Sequence, residues 1–353
     1  MKEYSFKQIE YAWEILRIMD INADDPKFID AMNVLSAWRA SHEMPLNIAF
    51  QLIQDIWSKI DKNSIFAKRL KRHKSIASKL SRFPKMNLRK MQDLWGCRII
   101  LPTLKKVEKV IKELERHKSF VYENWEIRSK DYIVNPKSDW YRSYHIVWKF
   151  WTKPENVRTI EIQIRTALQH DWATAVEIVD IFTKQSLKTN NGSKDWANFF
   201  KEVSIFFSII ENIHIFSTSN IRCINEFRDK ISHSPELLER YKNLKILVNK
   251  LDIIRSFDFF RISLNFIAWK AHGFALVKID TSQRTVSIKF VWEPEEMNEE
   301  YKQAEIESAW NQNLIVALIA TSELAELKEA YPNYFADSKD FMKHLNFILD
   351  CWL

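Results

Sequence analysis

The sequence predicts an α+β protein, and three patterns carry that reading. Apolar residues recur at helical spacing through both ends of the chain, T-I-E-I-Q-I-R-T at 159–166 alternates as a strand, and the stretch at about 273–293 reads as a β-hairpin. At 353 residues, 46% hydrophobic and 28% charged, the chain has room for two or three domains with real cores. No apolar run approaches the roughly 18 to 20 residues of a membrane span, and the opening M-K-E-Y-S-F lacks a secretory apolar core. Cys97, Cys223 and Cys351 stand far apart, which argues against zinc and against a disulfide framework and suits a reducing cytoplasm.

From about 5 to 60 the chain reads as helices. Ile9, Ala12, Trp13, Leu16 and Met19 repeat at helical spacing, as do Ile29, Met32, Leu35 and Trp38, and then Ile48, Leu52, Ile56 and Ile60 after Pro45. A basic run follows. Between Asp61 and Asp93 there are eleven Lys or Arg residues and no acid. A solvated helix face interleaves Glu with Lys, so eleven charges of one sign point to a phosphate or nucleic-acid partner. The segment D-L-W-G-C-R-I-I-L at 93–101 opens into an apolar strand, and a helix at 104–117 buries Val107, Val110, Ile111 and Leu114.

The segment 130–151 holds a loop, Asn-Pro-Lys-Ser-Asp, and then a strand from Tyr144 onward with Trp148, Phe150 and Trp151 assigned to the core. Tyr141 is a stacking platform for a base or a ring that covers the sheet. In the strand at 159–166, Ile160, Ile162 and Ile164 share one face and Glu161, Gln163 and Arg165 the other. Any half-buried strand alternates in this way. A helix from Ala167 carries the stripe Leu168, Trp172, Val176 and Val179, while Gln169, His170 and Glu177 either face solvent or hydrogen-bond to groups of the site from behind. A second helix, about 194–218, is buried.

Only three glycines occur, Gly96, Gly192 and Gly273, none near another. That excludes the P-loop, the dinucleotide G-x-G-x-x-G and the kinase glycine loop, each of which needs several glycines to bring backbone amides onto phosphate, and it also removes the G-x-S-x-G hydrolase elbow. The zinc motif H-E-x-x-H is absent as well, because Leu46 follows His42-Glu43 where the second histidine would stand. If the chain handles phosphates, side-chain cations must hold them. Asp93 is either a turn residue or, paired with Glu161, a ligand of Mg²⁺, an ion that takes few carboxylates and keeps phosphates and waters as its other ligands.

Taken together, R-L-K-R-H-K-S-I-A-S-K at 69–79, D-L-W-G-C-R-I at 93–99, K-D-Y-I-V-N-P-K-S-D-W-Y-R-S-Y-H at 130–145 and E-I-Q-I-R-T at 161–166 resemble, in this order and spacing, the synthetase domain of the RelA/SpoT family. The resemblance spans roughly residues 60 to 190. It implies a mixed β-sheet flanked by helices, similar to nucleotidyltransferases, and transfer of the β,γ-pyrophosphate of ATP to a ribose 3′-hydroxyl, usually of GDP or GTP. By position, it implies that Arg69, Lys71, Ser75 and Lys79 grip the ATP phosphates with Arg98 alongside. Asp93 and Glu161 match the Mg²⁺ ligands, Glu161 also activating the attacking hydroxyl. Lys130, Lys137 and His145 would face acceptor phosphates, Tyr141 would stack on the acceptor base, and Gln163 and Arg165 would line that pocket.

Two departures bear on the acceptor. The glycine of the family's G-Y-x-S-x-H pattern is Trp140 here, a bulky ring that would narrow or re-aim the pocket, and the hydrolase set H-x-x-H-D is missing. Some synthetase-only relatives are toxins that act on the 3′ end of tRNA. The same transfer onto tRNA, favoured by a net charge of +7, or onto an adenosine nucleotide therefore stands beside the guanosine reading, with a non-catalytic nucleotide-binding module as the remaining one. An oligomer is compatible with each.

The expected organisation is a helical region at 1–60, a synthetase domain with trailing helices at 61–232, and a helical domain with a hairpin at 233–353. Ser234 is the expected N-cap of a helix with Pro235 at its first position and Glu236 in its first turn, and the apolar pattern continues to about Ala271. Between Glu293 and Glu307 lie seven acids and one lysine. They form a solvated helix or dock on the basic run and restrain it, as fused antitoxin domains do in some toxic relatives.

Overall fold

Three helices precede the first strand: α1 (Phe6–Leu16), α2 (Pro26–Ala40) and α3 (Glu43–Trp57). Ser5 and Gln8 close a capping box on α1, and Asp25 caps α2 ahead of Pro26. After β1 (Ile65–Leu70) come α4 (His73–Arg82), β2 (Trp95–Leu101), α5 (Leu104–Arg116), β3 (Ser129–Asp131), β4 (Tyr144–Trp151) and β5 (Val157–Thr166). The structure, a computed structural model, describes residues 4–18, 22, 24–62, 64–118, 128–151, 157–184, 187, 192–213, 221–260, 263–264, 273–291, 293–321, 331–335 and 337–351.

The five strands form one mixed sheet in the order β1-β2-β5-β4-β3. β2 and β5 run parallel and the other neighbours antiparallel. Alternation along β5 sorts its side chains as the sequence predicts. Ile160, Ile162 and Ile164 have no exposure and pack with Cys97 and Ile99 against α3 and α5, while Glu161, Gln163 and Arg165 point to the opposite face. The buried row of α3 is Leu46, Ala49, Ile53 and Trp57, which corrects the expected stripe, since Ile48 is 40% exposed. Two adjacent rows of α3 are apolar, and the sheet accepts the one with small Ala49 and broad Trp57 at the contact. Ile29 also faces solvent, and Met19 lies outside the described residues.

α6 (Ala167–Thr183) leaves β5 through a capping box of Thr166 and Gln169, so the strand carrying Glu161 runs directly into a rigid helix. α7 (Lys194–Asn212), α8 (Ile221–Ser232), α9 (Pro235–Lys250) and α10 (Ile253–Phe260) follow. α9 starts as predicted, with Ser234 Oγ accepting from Leu237 N–H at 3.3 Å. Beyond Phe260, the stretch expected to run on to Ala271 lies outside the described residues except at 263–264, as do 214–218 of the predicted helix.

A second sheet, ordered β6-β8-β7-β9, is built from β6 (Ser263–Leu264), β7 (Gly273–Asp280), β8 (Thr285–Val291) and β9 (Leu314–Thr321). The hairpin turns through 281–284 as expected, with Asp280 Oδ1 accepting from Ser282 N–H and Gln283 N–H. α11 (Pro294–Trp310) and α12 (Lys339–Asp350) complete the chain. β1 and β9 went unread in the sequence: the first is hidden inside the basic run, and the second is a uniform apolar run without alternation.

Apolar cores run across both expected segment boundaries. α6 and α7 share one core with Phe227, Tyr241, Leu244, Phe257, Phe341 and Leu345, and α3 shares another with the first sheet and with Leu276, Met297 and Leu318. Ala67 of β1 packs among Ala275, Val277 and Ile319 of the second sheet. Among the described residues no helix is long and apolar enough to cross a membrane.

Candidate active site

The polar face of the first sheet opens into a cavity of about 870 Å³ between α4, the 137–141 loop, α6 and α7. All the residues singled out from the sequence line it except Ser75 and Arg165. Ser75 lies half-buried on α4. Arg165 is 2% exposed and lies beneath the cavity, in a small adjoining pocket with Arg69, Arg98, Tyr141, Gln163 and Glu177.

Cations gather around Asp93. Lys71 Nζ lies 3.0 Å from Oδ2 and Lys79 Nζ 2.8 Å from Oδ1. Burial alone would raise the Asp93 pKa, but the two ammonium groups outweigh it and hold the carboxyl well below the usual range. Burial is also the main reason the Lys71 pKa is lowered, with Asp93 opposing it. Arg69 reaches Glu177 at 3.9 Å. Burial works against its charge, yet Glu177 and the nearby Tyr334 and Tyr331 raise its pKa.

Aromatic rings and hydrogen bonds gather around Glu161. His145 Nδ1–H donates to Oε1 at 2.9 Å and the Gln163 amide donates to Oε2 at 2.8 Å. These bonds overcome burial and the field of Asp93, and the Glu161 carboxyl is drawn down to about 2. His145 is buried, and the Tyr141 hydroxyl lies 3.0 Å from its Nε2. Lys137 Nζ stands 4.5 Å over the Tyr132 ring and 4.7 Å over Tyr141. Burial would push the Tyr141 phenol up, but His145 and Arg165 lower it to about 7. Lys130 is exposed at the rim.

Gly96 is the residue that lets this face close. It pairs with Glu161 across β2 and β5, and a Cβ built on it would come within 2.8 Å of the Glu161 carbonyl oxygen. Backbone, unlike a flexible side chain, cannot step aside. Gly96→Ala should therefore shift the Glu161 strand by a few tenths of an ångström and lower kcat by about tenfold or more in any reaction that uses this carboxylate. Unchanged kcat in a folded variant would show that the strands separate without moving it.

Trp140, where the family pattern has glycine, adopts a left-handed backbone, with φ 66°. Such a conformation costs a bulky residue roughly 1–2 kcal/mol. Here it is held by Trp140 N–H to the Lys137 carbonyl at 2.8 Å and by Ser204 Oγ–H to the Trp140 carbonyl at 2.8 Å. The indole lies 5.2 Å below Lys201 Nζ on α7. Tyr132, Trp172, Asn198 and Lys201 line the cavity without having been singled out; Tyr132 sits within a quoted motif, whereas only tertiary packing brings α7 here.

Two alternatives left open by the sequence are decided by the packing. Gln169 and His170 are 3% and 4% exposed, because the capping box and Arg165 turn them inward. The acidic stretch does not lie across the basic run as a whole: Glu300 pairs with Lys289, Glu307 with Lys278 and Glu299 with Lys302, all within the C-terminal third. Among the described residues, Glu305 alone of these acids bonds the run, at His73 N–H. Tyr331 stacks against Arg98 at 5.7 Å and Tyr334 against Arg72 at 5.8 Å, contacts that no sequence signal announced.

Comparison with known proteins finds a match for the part of this cavity that lies before α7. Residues 68–182 match the family described as the region found in RelA/SpoT proteins. That segment is similar to the RelA/SpoT region over about a third of the chain. It is 33% identical over 111 residues to the GTP pyrophosphokinase YjbM of Bacillus subtilis, and this match takes in 30% of the chain and 51%, about half, of that relative. Among solved structures, the small alarmone synthetase 1 of Bacillus subtilis is 21% identical, covering 55% of this chain and 96% of that one at a TM-score of 0.41. The small alarmone synthetase 2 of the same organism is 25% identical, covering 52% and 95% at a TM-score of 0.40.

Proposed function

We propose that the RelA/SpoT region transfers the β,γ-pyrophosphate of ATP to the ribose 3′-hydroxyl of a guanosine nucleotide, GDP or GTP, with Mg²⁺. The single observation that carries this reading is the shared cavity, which sets Asp93 in a cluster of cations beside Glu161 in a cluster of aromatic rings. The YjbM relative, named for the same chemistry, supports it. Lys71, Lys79, Arg69 and Arg98 are the proposed donor grip, with Ser75 nearby on α4. Tyr141 is the proposed base platform, beside Lys130, Lys137, Gln163 and Arg165. His145, buried between Tyr141 and Glu161, is better placed to orient the carboxylate than to meet a phosphate.

The residues fit a magnesium ion. Both carboxylates are unprotonated at neutral pH, the charge of Asp93 already acts on Glu161, and a divalent cation between them would relieve that repulsion. Among the described residues no three acids, histidines or cysteines converge, so the remaining ligands would be phosphate and water oxygens, as Mg²⁺ prefers. Bound there, the ion would neutralise charge on the transferred group. Asp93 and Glu161 would hold it, with Lys71 and Lys79 released from Asp93 toward phosphate, and Glu161 would accept the proton of the attacking hydroxyl.

Trp140 and the net charge of +7 favour a second reading, transfer to the 3′ end of tRNA, in which the C-terminal third would restrain a toxic activity. Purified protein incubated with γ-labelled ATP and, separately, GDP, GTP, ATP and bulk tRNA decides between them. Label on GDP or GTP is the expected result; label on tRNA alone, lost steeply with salt, would give the second reading the place of the first. Trp140→Gly should then raise kcat/KM for the guanosine nucleotide severalfold by widening the pocket.

A further inference from the structure

The turn between β1 and α4 carries Lys71 and leads to Lys79, and its backbone is held from outside the RelA/SpoT region. Every helix start leaves N–H groups without intrahelical partners. Arg72, at the N-cap of α4, supplies no side-chain bond. The His73 N–H instead donates to Glu305 Oε1 at 2.6 Å, across 232 residues of chain. Glu305, on α11, is 2% exposed and pairs with Arg39 of α2, Nη1 to Oε2 at 2.5 Å and Nη2 to Oε1 at 3.2 Å. Its Oε1 also accepts from the Tyr301 hydroxyl at 2.8 Å.

Arg39 extends the brace. Its Nη2 donates to the Lys71 carbonyl at 2.6 Å, and its own carbonyl accepts from the Trp95 indole, at the start of β2, at 2.9 Å. The Lys71 N–H donates to the carbonyl of Leu94, the neighbour of Asp93, at 2.9 Å. Both backbone groups of Lys71 and the first N–H of α4 are thus fixed, two of the three by the Arg39–Glu305 pair.

We infer that Glu305 and Arg39 are positioning residues for the donor half of the site: they lock the Lys71–His73 turn and so aim Lys71 and Lys79 at one polyphosphate that neither of them touches. The inference rests on the donor assignment proposed above. The opposite role, an anion at the start of α4 that repels a phosphate, does not suit the geometry. Arg39 matches the charge of Glu305 in a pair closed from solvent, protein donors occupy both carboxylate oxygens, and neither residue lines the cavity.

Full-length Glu305→Gln and the gentler Tyr301→Phe test this by amide hydrogen exchange at residues 73–76 and by calorimetric binding of a non-hydrolysable ATP analogue, with GDP binding as the control. In Glu305→Gln, exchange at His73 should quicken and the analogue should bind about tenfold more weakly, while GDP binding stays within about twofold. Tyr301→Phe should move the same way by about threefold, and it decides the matter if Glu305→Gln does not fold. Unchanged exchange, equal loss of both ligands, or tighter analogue binding would overturn the inference. If the wild-type protein fails to bind the analogue, the donor assignment falls, and exchange at 73–76 still decides whether Glu305 holds the turn.

Discussion

Replacing Glu161 by Gln should lower kcat by about a thousandfold or more while the protein stays folded. Glutamine keeps the shape and one accepting oxygen, so the bond from His145 Nδ1 or the one from the Gln163 amide can persist, but not both in their present form. What disappears is a charge that is complete at neutral pH, since hydrogen bonding holds the carboxyl down to about 2. On the proposed assignment the variant loses a metal ligand and a proton acceptor together, and general base catalysis alone contributes roughly 10²–10⁴. Steady-state turnover of γ-labelled ATP beside a melting curve checks it. Wild-type turnover in the folded variant would remove Glu161 from the chemistry.

Truncation before residue 233 should abolish cooperative folding of the remainder. Docking of the acidic stretch 293–307 on the basic run would give the opposite expectation, a freed and more active synthetase. The packing decides otherwise. Tyr241, Leu244, Phe257, Phe341, Leu345 and Ile348 are buried in the core that supports α6 and α7. At roughly 2 kcal/mol for each buried side chain, a few of them equal the whole net stability of a typical domain. The cut also leaves Arg39 as a buried charge without Glu305. A soluble fragment 1–232 with a single sharp urea transition would refute this. Restraint by the C-terminal third is better tested by Tyr331→Ala, which clears the face of Arg98 and spares most of the packing.

Much of the site was legible because its chemistry is written in short contiguous stretches. Strand periodicity put Glu161 and Gln163 on one face and three isoleucines on the other, and it did so whatever β5 packs against. The scarcity of glycine excluded every backbone phosphate loop, and the acid-free run marked where cations would gather. Serine and proline at 234 and 235 located the start of α9, since capping is a matter of neighbouring residues.

Properties that depend on which of two similar surfaces meets a partner were not legible. Both rows of α3 are apolar, and only the sheet selects Ala49 and Trp57. His170 looks like a surface residue until Arg165 draws it inward. The start of α4 looks uncapped, because the carboxylate that completes it lies 232 residues away. The sequence by itself determined the chemical inventory of this protein and the face on which each strand presents it, since both follow from local covalent geometry. Only the tertiary structure decided that Glu305 and Arg39 brace the cationic turn and that Tyr331 lies against Arg98, because nothing in local spacing encodes a contact between residues hundreds of positions apart.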